Sequence, residues 1–121
     1  MTLFEHDAVL GCDELARLEI RQGDRDAELD WTLRGGGREV RIYRSCHGFA
    51  SDPGADPDQA LVYEGSATTA RLTSAAGPAY RVSPDIVSYY SIFVRDDGGA
   101  WRPQLRVRAE PCSVGRWRRP G

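Results

Sequence analysis

Ser88-Tyr-Tyr-Ser-Ile-Phe-Val-Arg-Asp-Asp-Gly-Gly99 is the stretch on which the reading of this chain turns. Side chains alternate between the two faces of a strand. Tyr90, Ile92 and Val94 therefore share one face, and Tyr89, Ser91, Phe93 and Arg95 share the other. The alternation reads as a central strand running into a tight turn. Asp96-Asp97-Gly98-Gly99 follows, a run of residues that tolerate positive φ and let the chain reverse. The next strand is expected from Trp101.

Working outward, the same alternation recurs. In Ala27-Glu-Leu-Asp-Trp-Thr-Leu33, the residues Leu29, Trp31 and Leu33 point inward and Glu28, Asp30 and Thr32 outward. Val40 and Ile42 face in on the next segment, with Arg41 and Tyr43 facing out. Leu105, Val107 and Ala109 do the same after Gln104. Residues 15–22 fit helix or strand by periodicity, and the Gly23-Asp24 break after them favours a strand. Shorter strands are expected over residues 61–64 and 68–73, and near Tyr80 and Val82. The loop at 47–59, with Pro53 and Pro57, excludes regular strand. The expected core is Leu29, Trp31, Val40, Ile42, Val82, Tyr90, Ile92, Val94, Leu105 and Val107. About seven short strands without a convincing helix predict an all-β fold, a two-sheet antiparallel β-sandwich. The expected organisation is an N-terminal arm over 1–14, the sandwich over 15–110 and a basic flexible C-terminal tail over 111–121.

Several of these residues together resemble a fibronectin type III domain, an immunoglobulin-like sandwich. The inward Trp31 of Leu-Asp-Trp resembles the tryptophan of the family's second strand. Val40-Arg-Ile-Tyr-Arg-Ser45 and Leu61-Val-Tyr-Glu-Gly65 are similar to its third strand and the short neighbour of that strand. Val82-Ser-Pro84 with Tyr89-Tyr90 resembles the family's corner, in which a tyrosine hydroxyl bonds the backbone. The corner is about one residue longer here, and Tyr90 is favoured for the role because it shares the face of Ile92 and Val94. The resemblance covers residues 15–110 and implies binding and spacing roles without catalysis.

Charge is unevenly spread along the 121 residues, whose formal net charge is −2. Residues 1–30 carry nine acids against Arg17, Arg21 and Arg25, and residues 101–121 carry six arginines against Glu110. Every basic residue is arginine, which points to a high-GC bacterial source. No apolar run is long enough to span a bilayer. The acidic N-terminus lacks the pattern of a secretion signal, so a cytoplasmic location is expected, or a place within a phage-like particle. Cys12, Cys46 and Cys112 are odd in number and match no zinc spacing. They read as free thiols, with a single disulfide as the alternative.

No residue pattern points to catalysis, and neither a metal nor a cofactor is expected. Cys46-His47 sits on a loop where neither group would be held for nucleophilic work. Asp52, Asp56 and Asp58 lack the spacing and closing glutamate of a calcium loop. Arg34-Gly-Gly-Gly-Arg38 has no following helix to complete a phosphate cradle. The candidate binding surface is one outer sheet face carrying Arg41, Tyr43, Tyr89, Phe93, Arg95, Arg106 and Arg108, residue types enriched at interface centres. An outward Phe93 is the strongest sign of a partner. The expected function is a non-catalytic structural or protein-interaction module, a subunit of a larger bacterial assembly of the phage-tail or contractile-baseplate type. The expected partners are other protein subunits, with self-association open. The alternative is a carbohydrate- or surface-binding accessory module of a larger secreted enzyme. Nucleic acid is disfavoured by the near-neutral charge, although the Arg116-Trp-Arg-Arg119 end could contact it.

Overall fold

A computed structural model describes residues 4–8, 14–23, 26–34, 38–46, 48–49, 60–73, 87–110 and 112–119. Nine strands run along these segments: β1 (Phe4–Ala8), β2 (Leu15–Gln22), β3 (Asp26–Leu33), β4 (Val40–Ser45), β5 (Ala60–Gly65), β6 (Thr69–Thr73), β7 (Ser88–Arg95), β8 (Trp101–Ala109) and β9 (Ser113–Arg118). They form two antiparallel sheets, in the orders β1-β8-β7-β4-β5 and β6-β3-β2-β9. The described residues thus build an all-β sandwich with no helix among them. Val82, Tyr80, the corner at Ser83-Pro84-Asp85, Cys12, His47, the loop acids Asp52, Asp56 and Asp58, and the glycines 35–37 lie outside the described residues.

The core forms where the alternating inner faces meet. Trp31, Leu29, Leu18 and Ile20 come from one sheet, and Val40, Ile42, Tyr90, Ile92, Val94, Leu105 and Val107 from the other. Each is at most 2 % exposed. Burying one such aliphatic side chain contributes about 1.5–3 kcal/mol. Trp31 meets Tyr63 of β5 edge-to-face, with ring centres 5.2 Å apart.

Two glutamines stitch the sheets together at opposite ends of β2. At its start, Gln104 Oε1 accepts from the Leu15 amide at 3.1 Å while Gln104 Nε2 donates to Glu14. Gln104 is the extra residue of a bulge, since Ile92 pairs with Leu105 but Phe93 pairs with Pro103. The bulge turns Gln104 inward and buries it, against the outward position expected from simple alternation. At the far end of β2, the Tyr90 hydroxyl donates to Gln22 Oε1 at 2.7 Å. Gln22 Nε2 in turn donates to Ser88 Oγ at 2.9 Å, and Arg44 Nε donates to the same oxygen at 3.0 Å. These four side chains are all buried. Tyr90 is the inward tyrosine expected from the sequence, yet its hydroxyl bonds a side chain of the opposite sheet in place of the backbone. Burial pushes that hydroxyl above its ordinary value, against the pull of the nearby Arg44 charge.

The β7–β8 reversal is held by Asp96. Its Oδ1 accepts from the amides of Gly98 and Ala100, both at 2.9 Å, and its Oδ2 accepts from Arg102 Nε at 2.9 Å. Gly99 takes φ +87°, the left-handed region in which a side chain is strained. These donors, Arg102 first, hold the Asp96 carboxyl below its ordinary value.

Segments near both ends of the sequence join the sandwich. The arm expected over 1–14 contains β1, which pairs with β8 from Phe4 opposite Ala109 to Ala8 opposite Leu105. The expected flexible tail is corrected to a strand: β9 pairs with β2 from Arg17 opposite Arg118 to Gln22 opposite Ser113. Its inward residues are Ser113, Gly115 and Trp117, and Trp117 is buried in the core. Only the last of the three is a large apolar side chain, which is why the alternation does not stand out in the sequence.

Candidate interaction surface

The outer face of the five-stranded sheet is assembled from β8, β7, β4 and β5, which lie side by side. Antiparallel register places the expected residues in rows. Tyr43 on β4 is opposite Ser91 on β7, and Ser91 is opposite Arg106 on β8. Arg41 is opposite Phe93, and Tyr89 is opposite Arg108.

Two members of this set are not exposed. Phe93 is 1 % and Tyr43 4 % exposed within the single chain, their rings edge-to-face at 5.8 Å and 90°. The expectation that Phe93 and Tyr43 offer themselves to a partner is therefore corrected. They form a second, smaller core on the outside of the sheet, with Trp101 packed against it. Period-2 alternation correctly puts them on the face away from the main core, but a face turned away from one core can carry another.

What the surface offers instead is a set of partly exposed aromatic and charged side chains. Tyr89, half-buried, meets Phe49 edge-to-face at 5.2 Å, and Phe49 is 36 % exposed. Near the other end of β7, the Arg41 guanidinium lies 4.2 Å over the Trp101 ring and bonds Glu64 through Nε. Leu61, on the edge strand β5 opposite Tyr43, is 41 % exposed. Arg95 is exposed and pairs with Glu39 at 3.6 Å, while Arg108 pairs with Glu110 at 3.2 Å. Arg106 is half-buried, and its Nε is buried without a hydrogen-bond partner among the described residues. Phe49, Leu61 and Trp101 were not singled out as surface residues from the sequence. Trp101 could have been, because its place at the start of β8, opposite Arg95, follows from the turn.

The chemistry available here is apolar contact, cation–π stacking and charge pairing. Among the described residues no group of three or more His, Cys, Asp or Glu could hold a metal ion, and Cys46 and Cys112 are exposed free thiols. No helix among the described residues is long and apolar enough to cross a membrane.

A solved structure has this architecture. The solution structure of a fibronectin type III domain derived from human KIAA0970 protein superposes with a TM-score of 0.56, at 14 % identity, over 84 % of this chain and 74 % of that one. The fold is that of a fibronectin type III domain. No protein-family profile matches the sequence, and no curated protein does. At that identity the likeness shows the fold alone, and fold does not fix function.

Proposed function

We propose that this fibronectin type III-like domain is a non-catalytic protein-binding module, a subunit of a larger bacterial assembly of the phage-tail or baseplate kind. The observation that carries the reading is a set of partly exposed aromatics, Phe49 against Tyr89 and Trp101 against the buried Tyr43–Phe93 pair. Aromatic side chains held in place by packing against other rings present large contact area at low entropic cost. Arg41, Arg95 and Arg108, each paired on the chain's own surface, supply a polar rim.

The test is a gentle native purification of the tagged chain from its source cell, with mass spectrometry and negative-stain imaging, run beside Tyr89→Glu. Stoichiometric recovery with a large particle, lost in the variant, supports the reading. A bare monomer overturns it and redirects the search to glycans, the ligands of the accessory-module alternative.

A further inference from the structure

We infer that the opposite sheet carries a second docking surface, an arginine cluster that receives an acidic protein segment. Arg17 and Arg118 stand directly opposite each other on β2 and β9. Like charges in that position destabilise a sheet. The neighbouring row shows the ordinary solution: Glu19 is opposite Arg116, their side chains 2.7 Å apart. That contact, first among its causes, holds the Glu19 carboxyl below its ordinary value.

Beside the Arg17–Arg118 pair runs a shallow groove of about 400 Å³, lined by Ala16, Arg17, Thr32, Arg34, Arg118 and Arg119. The described residues of its lining include four arginines and no acid. Arg17 is satisfied by Asp30 at 3.0 Å, and Arg119 Nε donates to the Leu15 carbonyl at 2.8 Å. Arg118 is exposed and makes no ion pair among the described residues. Asp30 already answers the charge of Arg17, so the charge left to meet in this row is that of Arg118, and a carboxylate arriving beside Arg118 meets it. Charge-assisted bonds of this kind are stronger than neutral ones.

The geometry favours a short acidic protein segment over a nucleic acid. Trp117 is 6 % exposed, with the Arg119 guanidinium 5.2 Å from its ring, so it offers bases no stacking platform.

The experiment measures fluorescence anisotropy of a labelled aspartate- and glutamate-rich peptide against the full chain, with a single-stranded oligonucleotide of equal charge beside it. The expected result is saturable peptide binding that weakens with salt and falls about tenfold or more in Arg118→Glu. The same variant should keep or raise the thermal midpoint, because Arg17 then faces a carboxylate. Lost binding at undiminished stability is what a merely structural arginine would not show. Absence of peptide binding, unchanged binding in Arg118→Glu, or tighter binding of the oligonucleotide would overturn the inference. The surface lies on the other sheet from the partly exposed aromatics, so either proposal stands if the other fails.

Discussion

The Tyr90 hydroxyl donates to Gln22 Oε1 at 2.7 Å, a bond that crosses from one sheet of the sandwich to the other with both partners buried. It belongs to one of two buried polar links between the sheets, the other being made by Gln104. Ser88 Oγ accepts from both Gln22 Nε2 and Arg44 Nε, so each bond restricts the geometry of the next. Buried polar groups are costly when one partner is missing, which gives the cluster a measurable signature.

Tyr90→Phe should lower unfolding stability by about 1–3 kcal/mol, because Gln22 Oε1 is left buried without that donor. Combining it with Gln22→Leu should cost less than the sum of the two single changes. Urea unfolding of the four proteins in a double-mutant cycle measures the coupling, expected at about 0.5–3 kcal/mol. Strict additivity would mean that the inter-sheet bond contributes nothing.

The same tyrosine sets an alkaline limit. Burial raises its folded-state pKa above the ordinary value of 10.0. Above that value the unfolded chain loses the proton and the folded one keeps it, so the unfolded state gains stability as pH rises. Tyr90 thus contributes fully below about pH 10, and its contribution falls from there upward through the folded-state pKa. Thermal midpoints followed from neutral to strongly alkaline pH should show this fall, and Tyr90→Phe should show a shallower one.

Phe93→Ala should behave as a core truncation, costing about 3–5 kcal/mol, because the ring is buried against Tyr43 and Trp101. Denaturant titration decides the matter. A loss within about 0.5 kcal/mol, the range of an ordinary surface substitution, would mean that Phe93 is not covered.

Asp96 is exposed to titration at the hairpin. Its pKa is depressed, so its contribution is present above the ordinary value of 3.8 and is lost as pH falls through the lower folded-state value. Asp96→Asn keeps an oxygen for the Gly98 and Ala100 amides but loses the charge that faces Arg102. It should therefore perturb the hairpin less than Asp96→Ala and should flatten the acid limb of the stability curve. Amide exchange at Gly98 and Ala100 against pH reads both effects, and identical exchange in the two variants would contradict the assignment.

Much of the fold is legible residue by residue. The alternation at Leu29, Trp31, Val40, Ile42, Tyr90, Ile92, Val94, Leu105 and Val107 points to the same inner faces that the structure packs together. The Asp96-Asp97-Gly98-Gly99 run marks the reversal because side-chain acceptance by Asp96 and positive φ at Gly99 are local properties. Gln22 could have been read as inward, since it keeps the parity of Leu18 and Ile20. Gln104 could not, because the bulge that turns it inward arises from pairing with β7. The candidate surface was legible only in part: Tyr89, Arg95 and Arg108 were placed on the right face, but Tyr43 and Phe93 share that face and are covered.

By itself the sequence determined which residues alternate, where the chain reverses and that two sheets must share one apolar interior. Those outcomes follow from strand periodicity and from local backbone preferences, which act between near neighbours in the chain. The tertiary structure alone decided that residues 113–118 complete a sheet beside β2, that Tyr43 and Phe93 sit in a second small core, and that Arg17 meets Arg118. Each depends on contacts between segments far apart in the chain, Arg17 and Arg118 among them. Parity tells a side chain which way to point but carries no information about what will lie above it.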